Sequence, residues 1–253
     1  MESIRELRQI CQGSPHVKNN DTRHAALVAR RVSIYFTWLL LHTPISANQT
    51  TLLFIVLGIC ASAFFVPGDY WLSLAGAGLL QVWFVFDCVD GEIARYRKSS
   101  SVTGSYFDLM AHDIVNPVLF GCLSYGVYNR FSNPAIFAFG LSAAVSLLLI
   151  KLTWLNKVRT LMVEGRHCEN PDAPAEGKID VNMIKPGLSR SSTRLARYYK
   201  RVSFLFQFPA IMNILCIATI FGRIDIFLFA YGAVLPVIWI AQVYRSVTRG
   251  IVN

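Results

Sequence analysis

Charged residues are scarce in this sequence. Only 15% of its 253 residues are Asp, Glu, Lys or Arg, whereas 54% are hydrophobic. Soluble domains typically carry about 25% charged residues, and one core in a chain of this length could not bury so much apolar surface. The composition therefore excludes an ordinary water-soluble globular enzyme. It also excludes a disordered chain, because disorder requires low hydrophobicity.

Paired cysteines and a cleavable leader are lacking as well. The six cysteines are scattered and form no C-x-x-C pair, so we interpret them as reduced packing residues. Residues 1–31 mix acidic and basic side chains, with no short apolar segment close behind Met1. This pattern does not predict a secretory signal peptide.

The scarcity of charge leaves long uncharged runs. A membrane-spanning helix needs about 20 mostly apolar residues, whereas a membrane β-barrel would show short alternating segments, which this sequence lacks. We therefore predict an all-α, polytopic integral membrane protein. The uncharged runs are 32–68, 70–86, 114–129, 131–150, 202–222 and 226–244. The six predicted transmembrane helices are about 48–67, 69–95, 104–127, 133–158, 203–221 and 224–245.

Basic residues collect on one side of these six spans. The short connections 67–69, 128–132 and 221–224 contain only two cations, Arg130 and Arg223. The positive-inside rule then places both termini and a polar loop over 163–201 in the cytoplasm, in a plasma or bacterial-type inner membrane. This asymmetry and attraction to anionic lipid explain the net charge of +9. We therefore expect no nucleic-acid partner.

The N-terminal segment, residues 1–47, precedes the transmembrane domain, residues 48–253. Within it, residues 24–43 could form a seventh span. Arg30 and Arg31 interrupt the segment, however, and its apolar part is too short to cross a bilayer. We therefore predict an amphipathic helix that lies in the membrane interface.

Acidic residues are concentrated where the second span ends and the third begins. Of the 15 in the chain, five fall between positions 87 and 113: Asp87, Asp90, Glu92, Asp108 and Asp113. A charge at the bilayer centre costs about 2.5–3.5 kcal/mol even on the mildest scale. Such a cluster therefore requires a compensating cation or a water-filled cavity.

Helical spacing aligns three of these carboxylates. Asp87 and Asp90 are three residues apart on one helix, and Gly104, Asp108 and His112 form one stripe along the next. The two helices run antiparallel because a loop of about eight residues joins them, so the carboxylates can converge near the cytoplasmic interface. Oxygen ligands of this kind suit Mg²⁺ or Mn²⁺.

Small and basic residues flank the carboxylates. Gly91 and Ala94 leave space beside them, either for helix packing or for a ligand to approach the helix closely. Arg95 could donate two hydrogen bonds to a phosphate or act only as a positive-inside anchor.

These residues carry a family resemblance. Residues 87–95 read DCVDGEIAR, and residues 104–112 read GSYFDLMAH. The pattern resembles the signature of the CDP-alcohol phosphotransferase family, which is D-x-x-D-G-x-x-A-R, a spacer, then G-x-x-x-D-x-x-x-D. Seven of the eight fixed positions match. Residues 45–51, ISANQTT, are similar to the family's P-N-x-x-T entry to the first span, with Ala47 in place of Pro. Six spans with cytoplasmic termini are also the family's architecture.

The resemblance implies specific roles. One or two divalent cations would bind Asp87, Asp90 and Asp108. The CDP-alcohol site would be lined by Asn48, Thr51, Gly91, Ala94, Arg95, Ser101 and Gly104. Two of these have simpler explanations, because Asn48 also suits a helix cap and Ser101 could be an ordinary loop residue.

The sequence departs from the family at the last motif position. The family has Asp there, read as the base that deprotonates the acceptor hydroxyl, whereas this chain has His112 followed by Asp113. His112 continues the stripe and can act as a base near neutral pH. Asp113 is turned about 100° away by helix geometry, so it would orient another group, or be the base if the helix bulges.

Lys151 is the remaining intramembrane charge. It either snorkels to the interface or binds a substrate phosphate, together with Lys157 and Arg159.

We interpret the chain as a membrane transferase of phospholipid or lipid-linked polar-group biosynthesis. An acceptor hydroxyl attacks the β-phosphorus of a CDP-alcohol, and CMP leaves; at least one of the two substrates is a lipid. The alternatives are an inactive family relative, suggested by the missing Asp, and a divalent-cation transporter. The resemblance also implies a homodimer, for which the small residues 75–78 could provide close helix contact.

Overall fold

The computed structural model describes residues 3–13, 29–99, 101–168 and 208–248. Within these ranges the chain forms eight helices and no strand, which confirms the all-α prediction. The helices are α1 (Ile4–Gln12), α2 (Arg30–Leu41), α3 (Ala47–Ala63), α4 (Tyr70–Tyr96), α5 (Val102–Phe131), α6 (Pro134–Cys168), α7 (Phe208–Ile220) and α8 (Ile224–Thr248).

Six of these helices, α3 to α8, coincide with the six predicted spans. Three of them are long and apolar enough to cross a membrane: α4, the Pro134–Thr160 part of α6, and α8. Helices α3 and α7 are apolar but shorter, and α5 carries the polar residues of the motif. The described residues therefore include three membrane-capable helices, and the count of six spans stays a prediction.

The predicted 163–201 loop begins later than expected. Helix α6 continues through residue 168; no proline lies between residues 135 and 168 to interrupt it, and the helix runs past Gly165. The rest of that loop, and the basic segment at its end, lie outside the described residues.

Local sequence signals set the helix starts around the motif. Helix α3 begins with a capping box, in which Ser46 and Gln49 satisfy each other's backbone N–H groups. Asp69 caps α4, and Ser101 caps α5 by accepting from the Gly104 N–H at 3.0 Å. The cap at Asp69 fixes the start of α4, and the cap at Ser101 fixes the start of α5 directly after the α4–α5 turn.

The packing order keeps the backbones of α4 and α5 apart. Helix α3 packs against both of them, and α5 also packs against α6, which contacts α8. In the described ranges, α4 and α5 themselves make few direct backbone contacts. Side chains therefore fill the gap between them, and the motif residues lie there.

Close packing of α3 against α4 and α5 supports the region where the motif residues lie. Phe54 of α3 stacks on Trp83 of α4 with ring centroids 4.6 Å apart. The indole fits because position 58 is glycine: a Cβ there would lie 2.6 Å from Trp83 Nε1 and 2.7 Å from Val115 Cγ1. Gly58 thus lets α3 approach α4 and α5 closely.

Two N-terminal helices cover the last turns of α4. Helix α2 lies within the segment 24–43 that we predicted to be an amphipathic helix, whereas α1 was not predicted. Leu7, Cys11 and Ile34 form a small buried cluster, against which Tyr96 packs. Helices α1 and α2 therefore pack onto the body of the protein, while the place of α2 in a membrane interface stays a prediction.

Candidate active site

The motif residues of α4 and α5 meet beside the α4–α5 turn. His112 Nε2 lies 3.0 Å from Asp87 Oδ1 and 4.0 Å from Asp108 Oδ1. One ligand atom from each of these three side chains lies within 4.8 Å of the other two. The three side chains thus form a compact, half-buried cluster that could hold a metal ion.

One oxygen atom of this cluster has no hydrogen-bond donor, although His112 Nε2 lies 4.0 Å from it. Asp108 Oδ1 is buried and accepts no hydrogen bond from the described part of the chain. A buried carboxylate oxygen without a donor is costly, and a bound cation would remove that cost. The carboxylate oxygens of Asp87 and Asp108 are ligands of the type that suits Mg²⁺ or Mn²⁺, whereas an imidazole is not a typical ligand of Mg²⁺.

Asp90 is the most buried of the three predicted metal ligands, with 7% of its surface exposed. Thr51 Oγ1 of α3 donates to its Oδ2 at 3.0 Å, and the Gly91 N–H donates to its Oδ1 at 2.5 Å. Asp90 also interacts electrostatically with Asp87 and Asp108. The structure therefore brings Asp87 and Asp108 together with His112, and it places Asp90, which Thr51 orients, outside that group of three but in electrostatic interaction with both carboxylates.

Two aromatic rings hold the imidazole in place. His112 meets Phe54 and Trp83 edge-on, with centroid distances of 5.3 and 5.6 Å. Sequence reasoning missed both rings, although Trp83 precedes Asp87 by four residues and so lies on the same helical stripe. They close the cluster on its apolar side.

Several predicted substrate residues lie close to one another near the α4–α5 turn. A Cβ on Gly104 would lie 3.3 Å from Ser101 Oγ and 3.5 Å from Asn48 Oδ1, so these three residues meet. A Cβ on Gly91 would lie 3.2 Å from Arg95 NH1. The guanidinium of Arg95 therefore covers Gly91, next to Asp90, and Ala94 is half-buried beside it.

Asp113 and Lys151 pair with each other. Lys151 Nζ of α6 lies 2.5 Å from Asp113 Oδ1, and it also donates to the Leu109 carbonyl at 3.4 Å. Helix α5 runs unbroken from residue 102 to residue 131. Asp113 thus faces α6, as the helical turn of about 100° predicts, and no bulge brings it to His112. Lys151 interacts electrostatically with Asp108, which places the amine at the edge of the cluster.

Glu92 has a role that the sequence did not reveal. It is fully buried and accepts hydrogen bonds from four side chains of α1 and α2. Although it lies within the acidic motif, it faces away from the other carboxylates. Its partners come from a distant segment, so motif spacing alone could not have assigned it.

Comparisons with known proteins agree with the family resemblance of the motif. A family model described as CDP-alcohol phosphatidyltransferase matches residues 44–240, more than half of the chain. The chain is also 32% identical, over 114 residues, to a protein of Rubrobacter xylanophilus described as a bifunctional IPC transferase and DIPP synthase. That alignment covers 45% of this chain and only 24% of the relative's length.

Proposed function

Since the chain belongs to the CDP-alcohol phosphatidyltransferase family, we propose that it transfers a substituted phosphate group from a CDP-alcohol to an acceptor hydroxyl, releasing CMP. The observation that carries the proposal is the cluster of Asp87, Asp108 and His112, with Asp90 coupled to it. These residues occupy the positions of the family signature, and they lie where α4 and α5 leave a gap.

Divalent cations would be held by Asp87, Asp90 and Asp108. The buried oxygen of Asp108, which accepts no hydrogen bond from the described part of the chain, supports this assignment. When bound, Mg²⁺ or Mn²⁺ would neutralise charge on the diphosphate and align it for in-line attack. Thr51 would keep the Asp90 carboxylate turned towards that site through its hydrogen bond.

The CDP-alcohol would bind near the α4–α5 turn. Arg95 presents a guanidinium over Gly91, a geometry that suits a diphosphate oxygen pair. Asn48, Ser101 and Gly104 lie close together near the same turn, and they would contact the cytidine end. Ala94 adds no bulk next to Arg95.

His112 would accept the proton of the acceptor hydroxyl. Its Nε2 lies 3.0 Å from Asp87 Oδ1, and a neighbouring carboxylate orients an imidazole and stabilises its protonated form. The aromatic rings of Phe54 and Trp83 limit rotation of the imidazole. The hydroxyl oxygen then forms a bond to the β-phosphorus, the bond to CMP breaks, and the proton resides on His112.

Lys151 would bind an anionic group of the acceptor. Its amine lies at the edge of the carboxylate cluster, and Asp113 holds it there. A phosphorylated polar acceptor fits this charge, with CDP-diacylglycerol as the lipid donor. The reverse assignment, a CDP-linked polar head group and a lipid acceptor, is the second candidate within the family.

The protein would work as an integral membrane enzyme with its site open to the cytoplasm. The three membrane-capable helices and the one-sided distribution of cations support this placement. Both termini would be cytoplasmic, and two copies would associate as a homodimer.

Measurements of CMP release and of cation flux on the same liposomes distinguish the proposed transferase from the two rivals, an inactive relative and a cation transporter. Purified protein in liposomes is supplied with several CDP-alcohols and several hydroxyl acceptors, and CMP release is measured. The proposal expects CMP only when a matching donor and acceptor are both present. No CMP with any pair would favour an inactive relative, and cation flux without CMP would favour a transporter.

A further inference from the structure

Glu92 anchors the N-terminal helices to α4. Its carboxylate accepts from Ser33 Oγ and Thr37 Oγ1 of α2, each at 2.6 Å, and from Gln12 Nε2 of α1 at 2.8 Å. Arg30 supplies the opposite charge at 3.3 Å. A buried carboxylate is tolerated only when it is bonded and paired in this way. Glu92 is therefore a structural anchor rather than a metal ligand.

Helix α2 carries its polar face inwards. Ser33 and Thr37 are fully buried against Glu92, while Tyr35 and Leu39 on the other side are more than half exposed. This is the reverse of a soluble amphipathic helix. The inward polar stripe matches the Glu92 carboxylate, and the outward apolar side suits lipid.

Helix α1 completes this arrangement and contacts Arg95. Leu7 and Cys11 are buried, and Gln12 also donates to the Arg30 carbonyl at 2.8 Å. The Cys11 carbonyl lies in the last turn of α1, where carbonyl groups lack helical partners. It accepts a hydrogen bond from Arg95 Nε at 2.6 Å, and the negative end of the helix dipole favours the guanidinium there.

We infer that α1 is a positioning element for Arg95: with Glu92 as its anchor, it fixes the guanidinium over Gly91 in the orientation that binds the diphosphate of the CDP-alcohol. Residues 4–12 lie outside the region that the family model matches, which starts at residue 44. The inference rests on the proposed function, because it requires Arg95 to contact the diphosphate.

A double-mutant cycle tests this inference through affinity for CDP. Isothermal titration of the full chain in detergent, with Mg²⁺ present, gives the affinity of wild type, Leu7→Ser, Arg95→Ala and the double variant. Leu7→Ser removes a buried contact of α1, and we expect it to weaken CDP binding about tenfold. In the Arg95→Ala background the same change should alter affinity less than twofold, since α1 acts through Arg95.

Two further variants keep the test informative. Ile10→Ser makes the same type of change on the exposed face of α1, where Ile10 is 48% exposed, and it should leave CDP affinity at the wild-type level. Gln12→Ala removes the hydrogen bonds to Glu92 and to the Arg30 carbonyl but leaves the apolar docking of α1, so we expect a smaller loss, about threefold. It also serves if Leu7→Ser fails to fold.

The outcomes separate this inference from the proposed function. Equal losses in Leu7→Ser and Ile10→Ser, or full additivity of Leu7→Ser with Arg95→Ala, would overturn the positioning role while Arg95 kept its place in the site. Unchanged CDP affinity in Arg95→Ala would instead remove Arg95 from the proposed site, and the inference with it.

Discussion

At the residue scale, this chain departs from the family signature at His112. Its imidazole lies where the signature has a carboxylate, and Asp87 and two aromatic rings fix its orientation. Asp113, the other candidate base, is engaged by Lys151. The geometry therefore favours His112 as the base, and kinetics can separate the two side chains.

We predict that His112→Ala lowers turnover by about 10²–10⁴-fold, the usual loss with a general base, and leaves CDP affinity nearly unchanged. His112→Asp restores the family pattern and should retain measurable activity. The acidic limb of its rate–pH profile should lie at lower pH, because a carboxyl loses its proton at lower pH than an imidazole. Asp113→Asn is the matched control and should be much milder. Near-normal turnover in His112→Ala with a dead Asp113→Asn would reverse the assignment.

Part of the site could be predicted from residue spacing and part could not. The stripes that carry Asp87, Asp108 and His112 follow from helical periodicity, so their convergence needed only two helices and a short loop. Glu92 and Trp83 lie on the same helix as Asp87, yet their roles depend on partners from α2 and α3. Spacing along one helix cannot show which neighbour will cover each face.

At the element scale, the approach of α3 to α4 and α5 sets the width of the site. Gly58 permits that approach, because any side chain there would meet Trp83 and Val115. The same contact supports the ring that packs against His112. The stability of the bundle and the position of the imidazole are therefore linked through one glycine.

We predict that Gly58→Ala destabilises the protein by about 1–3 kcal/mol, as overpacking typically does, and lowers turnover by displacing Trp83. Thermal unfolding in detergent and CMP release measure the two effects. Gly121→Ala is the control, because its Cβ would meet nothing within 4 Å, and Ala is the better helix former by about 1 kcal/mol. A Gly58→Ala variant as stable as Gly121→Ala would disprove the close approach.

The helices themselves differ in how well the sequence reveals them. The six apolar helices were predicted because long uncharged runs have few alternatives in a membrane protein. Helix α1 was missed because it is short and largely polar, and it docks on α2 and α4. Its capping box, Ser3 with Glu6, was the signal that could have revealed it.

At the scale of the whole molecule, the orientation in the membrane determines which substrates reach the site. We predict that a cysteine at position 99, in a variant lacking the native cysteines, reacts with an impermeant thiol reagent only from the cytoplasmic side. Ser99 is exposed in the α4–α5 turn, so reagent access depends on topology alone. A cysteine replacing Asn133, exposed at the opposite end of α5, is the control. Labelling of position 99 from outside would invert the topology.

The structure reduces the number of small residues that could form the predicted homodimer contact. Of the four small residues, Gly76 and Ala77 pack inside the chain, whereas Ala75 and Gly78 are exposed on α4. We predict that Gly78→Phe shifts the detergent-corrected mass from dimer to monomer, since a large ring there would keep a second copy away. Val145→Phe, at an exposed position of α6, should leave the mass unchanged. A monomeric wild type across a concentration series would contradict the prediction.

The most direct test of the account is the dependence of CMP release on the carboxylate cluster. In liposomes with a matching donor and acceptor, excess EDTA should abolish CMP release, and added Mg²⁺ or Mn²⁺ should restore it. Asp87→Asn, Asp90→Asn and Asp108→Asn should each lower the rate at least about 100-fold, the order lost with one preorganised electrostatic group. Asp69→Asn, which keeps the cap of α4 at the other end of that helix, should be near wild type. Full activity in EDTA, or in any of the three cluster variants, would contradict the account.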